Sequence, residues 1–212
     1  MHSPTLYGSD YSVYVRIVRL ALEEKRVAYD LVPVDIFAQG GPPAWYRGRH
    51  PFLRIPAFSH AGIDLYETGP IVRYVDEAFG GPPLQPIAPG DRAAMNQIIG
   101  IVDSYAYRAL VWDIYVETVS KPGRGETTDT ERVAKAVPVA ETCLSELSRL
   151  KRSGRWLIGE DISLADVYLA PVLAYFEKAD IAGAMLDRHP NISAWWDAMR
   201  ERDSFIATEP SD

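Results

Sequence analysis

HPFLRIPAFSHAGIDLYETGPIVRYVDEAF, residues 50–79, reads as a β-hairpin running into a helix. Two strand-like runs, PAFSH and IDLY, flank Ala61-Gly62, a pair suited to a tight turn. Pro56 heads the first run, where a missing backbone N–H is tolerated. Pro70 stands where a helix start accepts proline, ahead of Ile71, Val72, Tyr74 and Val75, and Gly80-Gly81 ends the helix. Upstream, Pro4 to Tyr7 reads as a strand and Gly8, Ser9 and Asp10 break it. From Ser12 onward Val13, Ile17, Leu20 and Ala21 recur at helical spacing, with Arg16, Arg19, Glu23 and Glu24 on the other side. Tyr29 to Val34 is a second strand, and Gly40 to Pro43 interrupt any regular pattern. This order predicts a mixed α/β unit, helices covering a small sheet, over residues 1–80.

Downstream the pattern changes. A proline-rich linker is expected over 81–90, and 91–212 is expected to be all-α. Met95, Ile98, Ile99, Val102, Ala106, Ala109 and Leu110 trace one long stripe, and Val133, Val137, Ala140, Leu144 and Leu147 another. Lys121 to Thr130 is a polar connection between them, and ISAWWDAMRERDSF closes the domain as a last helix. Ser163 and Asp166 stand three apart as a capping box, with Ile162 and Val167 placed as its hydrophobic staple, an arrangement that serves folding rather than catalysis.

The bulk properties narrow the function. The 212 residues carry a net charge of -7, so no basic stripe is available for nucleic acid or an anionic membrane surface, and a small-molecule ligand is the better expectation. One cysteine, Cys143, rules out an internal disulfide, and His2, His50, His60 and His189 are too scattered for a metal centre. No apolar run approaches a membrane span and the N-terminus lacks a leader pattern, so a cytoplasmic protein is expected.

The 50–79 stretch resembles the glutathione-site signature of the cytosolic glutathione transferases: Asn-Pro-x-Gly-x-Val-Pro, a hairpin, then Glu-Ser before a helix. GEDISLADVYLAPVL and HPNISAWWDAMRERDSF resemble the C-terminal domain of that family, and LYGSDYSVYVRIVRLALEEK is most similar to its serine-type, phi-like and theta-like members, several of them bacterial. The resemblance implies a thioredoxin-like α/β N-terminal domain, a mixed sheet with helices, followed by an all-α helical-bundle C-terminal domain. It also implies a cis Ile55-Pro56 bond and a homodimer. Leu53 departs from the family glycine, Arg54 from glutamine or lysine, and Thr68 from serine; Gly40 to Pro43 replace polar residues that touch the glycine end of glutathione, leaving Trp45, Arg47 or Arg49 to do so.

On this resemblance Ser12, at the start of the first helix, donates a hydrogen bond to the glutathione thiolate, although its position alone reads as a simple N-cap. Tyr7, Tyr11 and Ser9 are competing hydroxyls, and Arg16, one turn on, either adds positive charge or is a solvated arginine. Glutathione is expected on Arg54, Ile55, Pro56, Glu67 and Thr68: the Ile55 backbone pairs with its cysteinyl part like an added strand, Glu67 accepts from its α-ammonium, and Thr68 with the helix N-terminus takes its α-carboxylate. A small apolar electrophile is expected against Tyr11, Phe37, Tyr107, Arg108 and Trp112, aromatic density that core packing also explains, while Asp103 either serves a partner subunit's site or is a surface charge. Glutathione is a co-substrate, with no cofactor and no metal. Peroxide reduction, dehalogenation or isomerisation on the same thiolate, or a non-catalytic assembly module, are the alternatives.

Overall fold

Four short strands, β1 (Thr5–Tyr7), β2 (Asp30–Val32), β3 (Ala57–His60) and β4 (Ile63–Tyr66), form one sheet in the order β2-β1-β3-β4. β1 and β2 run parallel because α1 (Val13–Glu24) connects them, whereas β3 and β4 are joined by the Ala61-Gly62 turn, with positive φ at both residues, and pair antiparallel. Leu6 and Phe58 face each other across β1 and β3 and are fully buried. α1 packs along α2 (Thr68–Ala78), and both bury one aliphatic face. Gly8 allows the turn between β1 and α1: a Cβ there would lie 2.3 Å from Val15 Cγ2.

The computed structural model describes residues 3–211, so His2 lies outside it. The chain divides into two compact units, one continuing to Gln85 and resuming from Arg202, the other spanning Pro86–Glu201. The first unit takes in Pro82 to Gln85 because Asp76 collects them: its carboxylate accepts from the Leu84 N–H at 2.8 Å and Gln85 Nε2 at 3.1 Å, while the buried Lys25 ammonium binds Asp76 and the Pro82 carbonyl. Residues 202–212 were expected in the helical domain, yet the described part of that segment packs on the first unit. Arg202 and Ser204 bind the buried Glu24 carboxylate, Arg16 donates to the Phe205 carbonyl at 3.0 Å and stacks on its ring at 4.0 Å, and Arg19 donates to the Thr208 carbonyl at 3.1 Å. The side of α1 that reads as solvent-facing in sequence is therefore an intramolecular docking face.

In the second unit α3 (Pro89–Ile101) continues without a break into Val102–Ser120, a π-helical stretch, and one last turn, α4 (Lys121–Gly123). α5 (Thr130–Leu150) and α6 (Leu164–Phe176) pack against the π-helical stretch, and α7 (Ala182–Leu186) and α8 (Pro190–Arg200) complete the unit. The capping box forms at α6. Asp166 accepts from the Ser163 N–H and hydroxyl, both at 2.8 Å, and also from the Leu157 N–H and Trp195 Nε1, so one buried carboxylate fastens three segments. A short helix α9 (Asp203–Ala207) lies in the segment that returns to the first unit. Among the described residues no helix is long and apolar enough to cross a membrane, and no group of His, Cys, Asp or Glu is arranged to hold a metal.

Candidate active site

Strand register brings the segments expected to bind glutathione to one end of the sheet. Tyr7 pairs with Ala57, Ala57 with Tyr66, and Tyr7 with Val32. One residue or a few beyond that row lie Gly8 to Ser12, Ile55-Pro56, Glu67-Thr68 and Val34-Asp35. The Ile55-Pro56 bond is cis.

The four candidate hydroxyls differ in what already occupies them. Tyr11 donates to Asp35 Oδ1 at 2.8 Å; burial, then that carboxylate, pushes its pKa up to about 12. Ser9 donates to the Val34 carbonyl at 2.7 Å. Tyr7 keeps its hydroxyl, but its ring stands edge-on to Trp45 and under the Arg49 guanidinium. Ser12 is the N-cap of α1 and half-buried; its oxygen accepts from the Val15 N–H at 3.4 Å, and its hydrogen is donated to nothing among the described residues. The first-turn N–H groups of α1 lie beside it. Arg16 is buried and tied to Phe205 and Thr208, so its charge serves the C-terminal segment.

Ile55 is largely buried and, among the described residues, its backbone N–H and C=O make no hydrogen bond, so both are open to an external partner. Glu67 holds φ +71°, a region that costs a non-glycine residue ~1–3 kcal/mol and concentrates at ligand clamps. Its carboxylate is largely exposed, and the following Thr68 opens α2 with a buried side chain that has no hydrogen-bond partner among the described residues. Leu53 has φ +55°, a backbone for which glycine is suited. Arg54 offers its carbonyl to the Tyr46 hydroxyl at 2.7 Å and keeps its guanidinium unpaired among the described residues.

Of the three residues considered for the glycine end, Arg49 is engaged with Asp64 and Ser59, Trp45 packs on Tyr7 and Tyr46, and Arg47 is exposed with no ion pair among the described residues. Tyr11 and Phe37 do come together, ring centres 6.2 Å apart, because Asp35 accepts from both the Tyr11 hydroxyl and the Phe37 N–H. In the helical unit Tyr107 meets Trp112 edge-on at 6.5 Å, whereas Arg108 pairs with Asp113 and lines a groove of about 480 Å³ with Tyr105, Arg132, Ala136 and Val139. Asp103 is exposed. The sequence reading passed over Asp35 and His50. Asp35 carries a faint signal, an acid two residues before Phe37 in a turn; His50 carries none, being one of four scattered histidines.

Comparison with known proteins bears directly on this arrangement. The family model "Glutathione S-transferase, N-terminal domain" matches residues 6–83, and "Glutathione S-transferase, C-terminal domain" matches residues 105–203. The chain belongs to the glutathione S-transferase family. It is 27% identical over 207 residues to glutathione S-transferase F13 of Arabidopsis thaliana, covering 97% of this chain and 94% of that one. It is 28% identical over 204 residues to glutathione S-transferase 1 of Zea mays, covering 94% and 92%. Among solved structures, glutathione transferase F7 from Populus trichocarpa superposes with a TM-score of 0.81 at 26% identity, covering 97% of each chain. The apo form of a glutathione S-transferase III shares the fold, with a TM-score of 0.86 at 24% identity over 100% of this chain and 99% of that one. The glutathione S-transferase fold thus accounts for both parts of this chain, the mixed four-stranded sheet with its helices and the helical C-terminal part.

Proposed function

We propose that this glutathione S-transferase is a serine-type enzyme in which Ser12 donates its hydroxyl hydrogen bond to the glutathione thiolate. The sulfur then attacks an electrophilic carbon, forming a C–S bond as the leaving group departs with its electron pair; the thiol proton goes to solvent and Ser12 keeps its own. Lowering a thiol pKa from ~8.5 by about two units needs roughly 2.7 kcal/mol. A charge-assisted hydrogen bond contributes ~1.5–3 kcal/mol and a helix N-terminus ~0.3–1 kcal/mol, so the two suffice without a general base.

The Ile55 backbone pairs with the cysteinyl part of glutathione. Glu67 receives the ligand's α-ammonium, and Thr68 with the α2 N-terminus receives its α-carboxylate. Arg54 and Arg47 are the free cations for the glycine carboxylate. Tyr11 and Phe37 form an apolar contact for a small electrophile. Glutathione enters as a co-substrate with no cofactor, and the protein works in the cytoplasm as a homodimer, as expected for its family.

The observation that carries this reading is the Ser12 hydroxyl hydrogen, donated to nothing among the described residues, at a helix N-terminus beyond the same end of the sheet as Ile55. Conjugation of glutathione to a chloronitroarene, followed by absorbance, tests it. Ser12→Ala is expected to lower kcat/KM by about one to two orders of magnitude. Parental activity in the variant removes Ser12 from the role, and glutathione binding without turnover on any electrophile, peroxide or haloalkane moves the chain to the assembly-module class.

A further inference from the structure

His50 is 1% exposed and sits between two of the segments assigned to glutathione. Its N–H donates to the Tyr46 carbonyl and its own carbonyl accepts from the Leu53 N–H, closing the turn that delivers Ile55. Its imidazole lies among the rings of Tyr46, Phe52 and Tyr66, with the Tyr66 centroid at 5.0 Å. Nδ1 is buried without a partner, while Nε2 lies 3.9 Å from Glu67 Oε1.

We propose that His50 is a positioning residue for Glu67: the neutral imidazole supports the carboxylate in its ligand-facing place, and a protonated His50 competes with the ligand's ammonium for it. The inference rests on the assignment of Glu67 to the glutathione ammonium made above. The charged groups acting on the ring are Glu67, which favours its cation, and Arg54, which opposes it; the titratable hydroxyls around it are Tyr46, committed to the Arg54 carbonyl, and Tyr66. Burial, with the Arg54 charge, outweighs Glu67 and holds the His50 pKa below the ordinary histidine value; among the described residues Nδ1 has no acceptor for a second ring proton. The ring is therefore neutral at neutral pH. An ammonium seated on Glu67 removes the charge that a His50 cation needs, so ligand binding expels the proton and, by linkage, acid weakens ligand binding.

The test is the affinity for S-methylglutathione, whose blocked sulfur takes thiol ionisation out of the measurement, by calorimetry between pH 8 and pH 5.5. The parent is expected to lose roughly two- to fivefold in affinity over that range, which is what a half- to one-unit fall on binding gives at pH 5.5 for a histidine titrating below its ordinary value. His50→Asn is expected to bind with a flat profile. The same loss in His50→Asn, or no loss in the parent, overturns the proposal. Absence of binding by the parent at every pH instead overturns the glutathione assignment itself. Should His50→Asn fail to fold, the His50 imidazole resonances of the parent are titrated with and without S-methylglutathione: a lower pKa in the complex supports the proposal, and an unmoved one overturns it.

Discussion

Ser12 and Tyr11 are neighbours in sequence with opposite fates. Tyr11 spends its hydroxyl hydrogen on Asp35, and burial with that carboxylate raises its pKa to about 12, the wrong direction for stabilising an anion beside it. Tyr11→Phe and Ser9→Ala are accordingly expected to leave the thiolate pKa of bound glutathione within a few tenths of the parent value, with Tyr11→Phe acting only through the electrophile's KM; a tenfold fall in kcat in either variant would contradict this. The break points at Ser12, Ile55-Pro56 and Glu67-Thr68 were legible in the sequence as the ends of strands and the starts of helices, whereas the roles proposed for these residues rest on the family resemblance. Asp35 and His50 were not legible, since each acts through a partner that only folding brings near. Leu53, a departure from the family pattern, holds a positive φ that favours glycine and so carries backbone strain.

At the element scale, strands, the hairpin and both N-terminal helices follow from local patterns, and the cap at Ser163 to Asp166 forms as its spacing requires. Two features do not follow. The stretch Val102–Ser120 is π-helical and brings Tyr107 to Trp112 and Arg108 to Asp113, pairs five apart that a 3.6-residue reading does not anticipate, although its buried residues Val102, Ala106, Ala109 and Leu110 keep the expected stripe. The polar side of α1 is the second, for Arg16 and Glu24 are buried by a segment nearly 180 residues away in sequence or farther, a contact that periodicity cannot foresee. Glu24→Ala leaves Arg202 and Ser204 without their acceptor and is expected to destabilise the first unit by about 2 kcal/mol, less than a fully buried pair because Arg202 is partly exposed. Chemical denaturation measures this; a change below about 0.5 kcal/mol, the range of ordinary surface substitutions, would show that the C-terminal segment is not anchored there.

For the whole molecule, composition and charge point to an acidic globular protein with a small-molecule ligand, and the change from alternating to purely helical patterning points to two parts. The return of Arg202 onward to the first unit was hidden, because its helix pattern is the same wherever it docks. Acid stability depends on charges held inside the helical unit. Burial pushes the Glu117 carboxyl up, but hydrogen bonds from Lys121 and the Asp129 N–H, with the charges of Lys121 and Arg132, outweigh it and leave its pKa below the ordinary glutamate value. A depressed folded pKa contributes stability above the unfolded value of about 4.3 and loses it as pH falls through the folded one. Glu117→Gln is thus expected to cost about 2–3 kcal/mol at pH 7 and progressively less below pH 4, read from urea melts; a penalty independent of pH would contradict the assignment. The central claim, that Ser12 holds glutathione as a thiolate, is tested most directly by ultraviolet difference titration of bound glutathione against pH in the parent and in Ser12→Ala. The account predicts thiolate absorbance that titrates about two units below free glutathione in the parent and near the free value in the variant. Superimposable titrations of the two proteins would contradict it.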